Sequence, residues 1–299
     1  MQARKPEWLK VRPPGGEKYA TVRSLIHDLK LHTVCEGARC PNSAECWGNG
    51  TATIMIMGDI CTRGCRFCAV ESGDPEGMLD VDEPDRVAAA VSSLNLDYVV
   101  LTSVDRDDLP DGGANHYAST IRAMKDEKPE TFVEALIPDF KGDEAALEKV
   151  VDAGPEVVWH NIETVERLTG KVRDRRSSYR LSIEVLRTIK RLDPGVIVKS
   201  SIMLGFGESR AEILQSFSDL REAGVDALTI GQYLRPSTWH LPVEEYVSPE
   251  RFDEYRRFAE SLGFLYVASG QLVRSSYRAG EYFKAALVRS KKCKVADGG

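Results

Sequence analysis

The stretch Thr53-Ile-Met-Ile-Met57-Gly-Asp-Ile-Cys61-Thr-Arg-Gly-Cys65-Arg-Phe-Cys68 joins a short apolar run directly to three cysteines spaced C-x-x-x-C-x-x-C. A run this short and this apolar reads as a buried parallel strand. Parallel α/β arrays place their sites on the loops at the carboxyl ends of strands, where these cysteines lie. Three thiolates on one short loop suit three corners of a cubane iron–sulfur cluster and leave one iron open to another ligand. A structural zinc site usually wants four ligands, often as two C-x-x-C pairs, and this loop offers one pair and a spare. Inert reduced thiols are the remaining alternative. Gly64 is expected to let the loop curl tightly, and Phe67 to supply an apolar wall.

Downstream, the pattern of strand, loop and helix repeats. Apolar runs follow at Asp97–Val104, Thr131–Pro138, Val157–Glu163, Val196–Leu204 and Ala227–Tyr233. Helical patterns fall at Asp85–Leu94, Asn115–Lys125, Asp143–Ala153, Ser178–Leu192, Arg210–Ala223 and Pro249–Leu262. The last is well marked: Ser248 can cap, Pro249 takes the first helical position, and Gly263 fits the stop. Six such units imply a parallel sheet with right-handed crossovers. Six are too few for a closed eight-fold barrel. The expected fold is α/β: a partial, open (β/α)6 TIM-like barrel with N- and C-terminal extensions. Its parts are an N-terminal extension over residues 1–50, the barrel over 51–262 and a C-terminal extension over 263–299. A doubly wound sheet is the competing arrangement. Short helical segments are expected near Thr21–Leu29 and Tyr282–Arg289.

The whole chain has 299 residues, 40 Lys+Arg against 46 Asp+Glu, and a net charge of −6. A mildly acidic chain is a poor general phosphate binder, so no nucleic acid is expected as partner. No apolar run approaches the ~18 residues of a membrane span, and residues 1–10 hold no secretory-signal core, so no membrane is expected either. Of seven cysteines, six fall between Cys35 and Cys68 and one, Cys293, in the tail. Clustered thiols in a reducing compartment point to metal or redox chemistry, and the absence of a clear transit segment makes a cytoplasmic location the expectation. The first group, Cys35, Cys40 and Cys46, is spaced C-x4-C-x5-C. It again offers three cysteines: a second cluster with one non-cysteine corner, a site completed by Cys293, or a zinc site with His32.

The cysteine loop on the first strand of an incomplete barrel resembles the radical S-adenosylmethionine superfamily. The segment from Leu31 to Trp47 and the upstream Lys5-Pro-Glu-Trp-Leu-Lys are similar to the lipoyl synthase family within it. So are VVLTSVDRDDL (99–109), WHNIETV (159–165), KSSIMLGFGE (199–208), TIGQYLRPSTWHLP (229–242) and Val273-Arg-Ser-Ser-Tyr277-Arg-Ala.

That resemblance implies two 4Fe–4S clusters and S-adenosylmethionine. Cys61, Cys65 and Cys68 would hold the first cluster, whose open iron takes the amino and carboxylate groups of S-adenosylmethionine. Cys35, Cys40 and Cys46 would hold a sacrificial sulfur-donating cluster, with Ser275 as its fourth ligand and Ser276 as fallback. The implied reaction inserts two sulfurs at C6 and C8 of an octanoyl chain on a carrier lysine. The implied partners are an octanoylated lipoyl carrier domain (a 2-oxoacid dehydrogenase subunit or the glycine cleavage carrier protein) and an electron donor. Thr102 and Ser103, Asn161 and Glu163, and Arg180 or Lys199 are the candidate S-adenosylmethionine contacts. The last pair suits the methionyl carboxylate, although the superfamily's GGE form of the amino contact is missing. His32, His160 and His240 read as packing or hydrogen-bonding groups. The run Lys171-Val-Arg-Asp-Arg-Arg176 reads as a solvated face that could steer an acidic carrier.

Overall fold

The computed structural model describes residues 6–9, 16–37, 40, 42–48, 53–276 and 280. Helix α1 (Glu17–Asp28) leads into strand β1 (His32–Thr33) and two short helices, α2 (Val34–Gly37) and α3 (Ser43–Gly48). Strand β2 (Thr53–Ile56) follows. The cysteine loop begins on a small parallel pair, β3 (Ile60–Cys61) with β4 (Glu71–Ser72). Then come α4 (Glu83–Ser93), β5 (Tyr98–Ser103), α5 (Ala114–Glu127), β6 (Phe132–Leu136), α6 (Glu144–Val151) and β7 (Val157–Trp159). The chain continues through α7 (Glu166–Val172), α8 (Tyr179–Leu192), β8 (Ile197–Leu204), α9 (Arg210–Glu222), β9 (Ala227–Gln232), α10 (Pro249–Ser261) and β10 (Tyr266–Gly270).

The main sheet runs β1-β2-β5-β6-β7-β8-β9-β10. The pairs from β2 to β10 are parallel, and β1 lies antiparallel on the free edge of β2. The two edges, β1 and β10, do not pair, so the barrel stays open. Six strand–helix units are present, as the apolar periodicity implied, and a seventh parallel strand closes the series. That strand, β10, lies beyond residue 262, inside the segment expected to be a C-terminal extension. Its sequence, YVASG, ends in small residues that carry no strand signal of their own. It is made a strand by its neighbour, since Tyr266 to Gly270 pair in step with Ala227 to Gly231.

Helix ends follow side-chain chemistry. Ser248 Oγ accepts the Arg251 N–H at 3.4 Å, Pro249 opens α10, and Gly263 stops it at φ 86°. Ser209 and Glu212 form a reciprocal capping box on α9. Alternation then sorts the strand residues. In β5, Val99 and Leu101 join the large core under the helices, whereas Tyr98 and Val100 join a second cluster with Val157 and Trp159. The second cluster faces the barrel lumen. By register, Glu134 beside Val100 and Lys199 beside Trp159 face the same interior.

Candidate active site

The loop after β2 is held before any ligand arrives. Cys61 Sγ accepts the backbone N–H groups of Arg63 and Asp105, both at 3.4 Å. Cys65 Sγ accepts from Asp174 N at 3.3 Å, and Cys68 is bonded by the N–H of Val70. Burial pushes the thiols up, Cys61 to about 11 and Cys65 and Cys68 to about 12. Desolvation therefore keeps them protonated, while each N–H aimed at sulfur favours the thiolate that iron would bind. Among the described residues no three His, Cys, Asp or Glu side chains converge on one point as a mononuclear zinc site requires. A cubane asks for something else: each thiolate on its own iron, with hydrogen bonds to the sulfurs. Gly64 has an ordinary φ and open room for a Cβ, so the curl does not depend on its missing side chain as expected. Phe67 is partly buried and packs against the main core.

Arg63, between the first two cysteines, locks the loop to the sheet. Its guanidinium forks onto Asp107 at 2.9 and 3.0 Å and onto Asp139 at 2.6 and 2.7 Å. Burial works against the Arg63 charge, but the bonds to Asp139 and Asp107 overcome it and raise its pKa. Asp139, which burial alone would raise, is carried down to about 2 by Arg63. From the far side, His240 Nε2 donates to the Cys68 carbonyl at 2.8 Å, and its Nδ1 accepts from Ser237 Oγ. Asp107, Asp139, Asp174 and His240 lie dozens of residues or more from the loop, so the motifs that contain some of them do not show which residue holds it.

Two carboxyl groups face the cysteines. Asp105 follows β5, and burial raises it to about 6 despite Arg63. Glu163 sits past the end of β7 with φ 65°, a left-handed conformation uncommon for non-glycine residues. Burial raises its carboxyl too, against Arg173 and Asn161. Asn161 Nδ2 donates to Glu163 Oε1 at 3.0 Å, and its Oδ1 is buried with no partner among the described residues. That orphaned acceptor beside two carboxyls suits a cationic, hydrogen-donating ligand such as the amino end of S-adenosylmethionine. Thr102 is buried at the end of β5, with Ser103 next to it, both beside the Tyr117 hydroxyl.

The two basic candidates lie elsewhere. Arg180 stands in solvent on α8, its side chain 89% exposed, and pairs with Glu166 at 3.0 Å. Lys199 is buried in the lower lumen, where Glu134 takes its charge at 2.5 Å. Register alone could not separate a lysine aimed at a ligand from one already paired. Besides Arg63, a second buried cation near the cysteines is Arg173, which donates to Ser182 Oγ at 2.8 Å and acts electrostatically on Cys65, Asp105 and Glu163. Sequence reading left it within a solvated basic run. Arg176 of that run is also committed, to Asp174 and Asp107, Lys171 lies 3.9 Å from Glu244, and Arg175 is exposed.

The histidines behave as packing groups. His160 donates from Nδ1 to the Ile137 carbonyl and accepts from Ser182 at Nε2, both at 2.9 Å. His32 lies 3.7 Å from Asp59 on the surface.

The first cysteine group folds at the other end of β2. Strand β1 runs antiparallel to β2, so Cys35 emerges beside Thr53. Cys35 is buried and pushed up to about 11 by desolvation, with the buried Trp47 side chain close by. Trp47 in turn stacks on Tyr19 at 4.9 Å. Cys40 N donates to the Cys35 carbonyl five residues back, and Cys46 N to the Asn42 carbonyl in a helical bond. The tail meets them here. Asn42 Nδ2 donates to the Leu272 carbonyl at 2.7 Å, and Arg274 lies close enough to act on the Cys40 thiol. Arg274 is half-buried, and desolvation lowers its pKa. Among the described residues its guanidinium meets only the Gln232 and Val273 carbonyls. A half-buried cation beside Cys40, with no carboxylate partner among the described residues, suits an anionic thiolate cluster. Cys293, Tyr277 and the helix expected at 282–289 lie outside the described residues.

The radical SAM superfamily matches residues 55–220, and the N-terminal domain of lipoyl synthase of that family matches residues 1–40. A lipoyl synthase of Myxococcus xanthus is 57% identical over 289 residues, covering 97% of each chain. The chain belongs to the lipoyl synthase family. Within it, the protein of Thermus thermophilus is 55% identical, covering 95% of this chain and 88% of its own. The mitochondrial protein of Drosophila mojavensis is 54% identical over 99% of this chain and 82% of its own. Among solved structures, methylornithine synthase superposes with TM-score 0.53 at 17% identity, covering 87% of this chain and 85% of that one. Streptococcus suis SuiB bound to its precursor peptide gives 0.56 at 9%, covering 72% and 48%. At such identities the likeness extends to the fold alone.

Proposed function

We propose that this chain is the enzyme that inserts two sulfur atoms at C6 and C8 of an octanoyl group amide-linked to a carrier lysine. The observation that carries this reading is the meeting of the Cys35–Cys46 segment with Leu272–Ser275 at one end of β2, while Cys61, Cys65 and Cys68 sit at the other. The short strand β2, rising ~3.3 Å per residue, lies between the two groups, an interval that a medium-length acyl chain can enter from the side. Cys61, Cys65 and Cys68 hold one 4Fe–4S cluster; Cys35, Cys40, Cys46 and Ser275 hold a second. When bound, the first cluster and S-adenosylmethionine supply hydrogen abstraction from unactivated carbon, which no side-chain base can perform.

The chain's own residues bind and orient. Asn161, Glu163 and Asp105 hold the cationic end of S-adenosylmethionine, with Thr102 and Ser103 beside them. Arg173 balances their charge. Val100, Leu136 and Trp159 line the lumen with apolar surface that accepts an acyl chain and excludes water. The partners we assign are an octanoylated carrier domain and an electron donor, in a reducing cytoplasm that keeps six clustered thiols free.

The test is anaerobic reconstitution followed by reductant, S-adenosylmethionine and an octanoyl-lysyl peptide. Roughly eight irons per chain (two cubanes), release of 5′-deoxyadenosine and a dithiolated peptide are expected. Ser275→Ala loses dithiolation. Zinc in place of iron, or no adenosyl cleavage, overturns the reading.

A further inference from the structure

Lys199 was expected at the methionyl carboxylate, and its actual contacts assign it a different task. Its Nζ donates to the Ser275 carbonyl at 2.7 Å, pairs with Glu134 Oε1 at 2.5 Å, and lies 3.8 Å above the centre of the Trp159 ring. The three partners come from β6, β7 and the tail, and Lys199 itself from β8. Tyr98 of β5 adds its hydroxyl to Glu134 from the other side. The group is deeply buried: Lys199 is 6% exposed, Glu134 2% and Trp159 0%.

We propose that Lys199, seated by Glu134 and Trp159, is a positioning residue that latches the 272–276 segment onto the barrel and so presents Ser275 to Cys35, Cys40 and Cys46. This inference rests on the reading of Ser275 as the fourth ligand of the second cluster. Three observations besides the lysine contact define the seat. Gly231 of β9 leaves a gap into which the Val273 carbonyl fits, since a Cβ there would stand 2.2 Å from that oxygen. Arg274 anchors on the Gln232 carbonyl at 3.1 Å. Asn42, from the cysteine segment itself, takes the Leu272 carbonyl. The tail is thus gripped at residues 272, 273, 274 and 275 in succession, by backbone carbonyls at three of them. Gripping through carbonyls leaves the serine hydroxyl available to a ligand.

The geometry has a chemical purpose. A serine oxygen is a hard and unusual ligand in a sulfide cluster and holds iron less firmly than a thiolate. A weak fourth corner depends on placement more than a strong one does. The lumen supplies that placement by spending one buried ion pair on a single main-chain oxygen, a geometry that a loop in water would not keep.

The experiment compares wild type with Lys199→Met, Lys199→Arg and Glu134→Gln. In metal-free protein, hydrogen exchange of the 272–276 amides reads the latch with no cluster present. Lys199→Met should accelerate that exchange at least tenfold, and Glu134→Gln by less. Lys199→Arg, which keeps a cation over the indole and donors for both oxygens, should restore protection. In reconstituted protein, Lys199→Met should shift the Mössbauer signature of the second cluster as Ser275→Ala does, while 5′-deoxyadenosine release continues. Unchanged exchange with an unchanged second-cluster signature overturns the latch. So does loss of adenosyl cleavage in Lys199→Met with its protection intact, which would return the lysine to the S-adenosylmethionine carboxylate. Melting and 5′-deoxyadenosine release report whether the barrel has folded. If wild type fails to dithiolate, the functional reading falls, whereas the exchange measurement still decides whether Lys199 holds the tail.

Discussion

Around the cysteine loop, burial decides the charge of single residues. His160 is enclosed by Ile137, Ser182, Arg173 and Asp139, and desolvation, then Arg173, carry its pKa down to about 4. An unfolded chain protonates this ring near 6.5. The folded form therefore binds fewer protons between pH 6.5 and 4. Its contribution to stability is present above pH 6.5 and is lost as pH falls toward 4. A gap of roughly 2.5 pH units corresponds to about 3 kcal/mol. Asp105 works in the opposite sense: raised to about 6, it favours folding below about 3.8 and loses that contribution as pH rises through 6. Thermal melting of metal-free His160→Gln should thus lose the wild-type decline between pH 6.5 and 4. An unaltered decline in the variant would assign it to other groups. Lys199 and Arg180 carry a related lesson. Both are basic residues near strand or helix ends, and only their partners, Glu134 inside and Glu166 outside, separate them.

At the scale of elements, the loop from Cys61 to Cys68 is short, but its rigidity is borrowed. Arg66 N donates to the Val172 carbonyl at 2.9 Å, Leu241 N donates to the Arg66 carbonyl at 3.2 Å, and His240 takes the Cys68 carbonyl. The segments after α7 and β9 thus hold the loop after β2. His240→Ala removes one such hold, at a cost of ~1 kcal/mol to the loop. The fold should survive, and a chelator should strip iron from the reconstituted variant severalfold faster than from wild type. Equal rates would show that His240 only packs. The cysteines were legible because three ligand-type residues in eight have few structural explanations. The holding residues were not, because a histidine, an arginine or an aspartate in a loop has many.

For the whole molecule, the open edge and the two chain ends matter together. The N-terminal segment enters by pairing β1 to β2, the C-terminal segment leaves from β10, and they meet through Asn42 and Leu272. Gly231 is the tightest point of that closure. Gly231→Ala should push Val273 off β9, cutting dithiolation at least tenfold while 5′-deoxyadenosine release persists. Chromatography of both products from one reaction would check it, and a full yield of dithiolated peptide would refute the close fit as a requirement.

The sequence by itself determined the repeating strands and helices, the two cysteine triplets and the family. Each is encoded locally, by periodicity, spacing or contiguous motif, and needs no knowledge of what lies across the fold. Only the tertiary structure decided which charges are buried and paired. It turned Arg173 inward and left Arg180 in water, gave Lys199 to Glu134 and the tail, and made Tyr266–Gly270 a strand. The reason is physical: the fate of a charge, or of a weakly marked segment, is set by desolvation and by partners that come from distant parts of the chain.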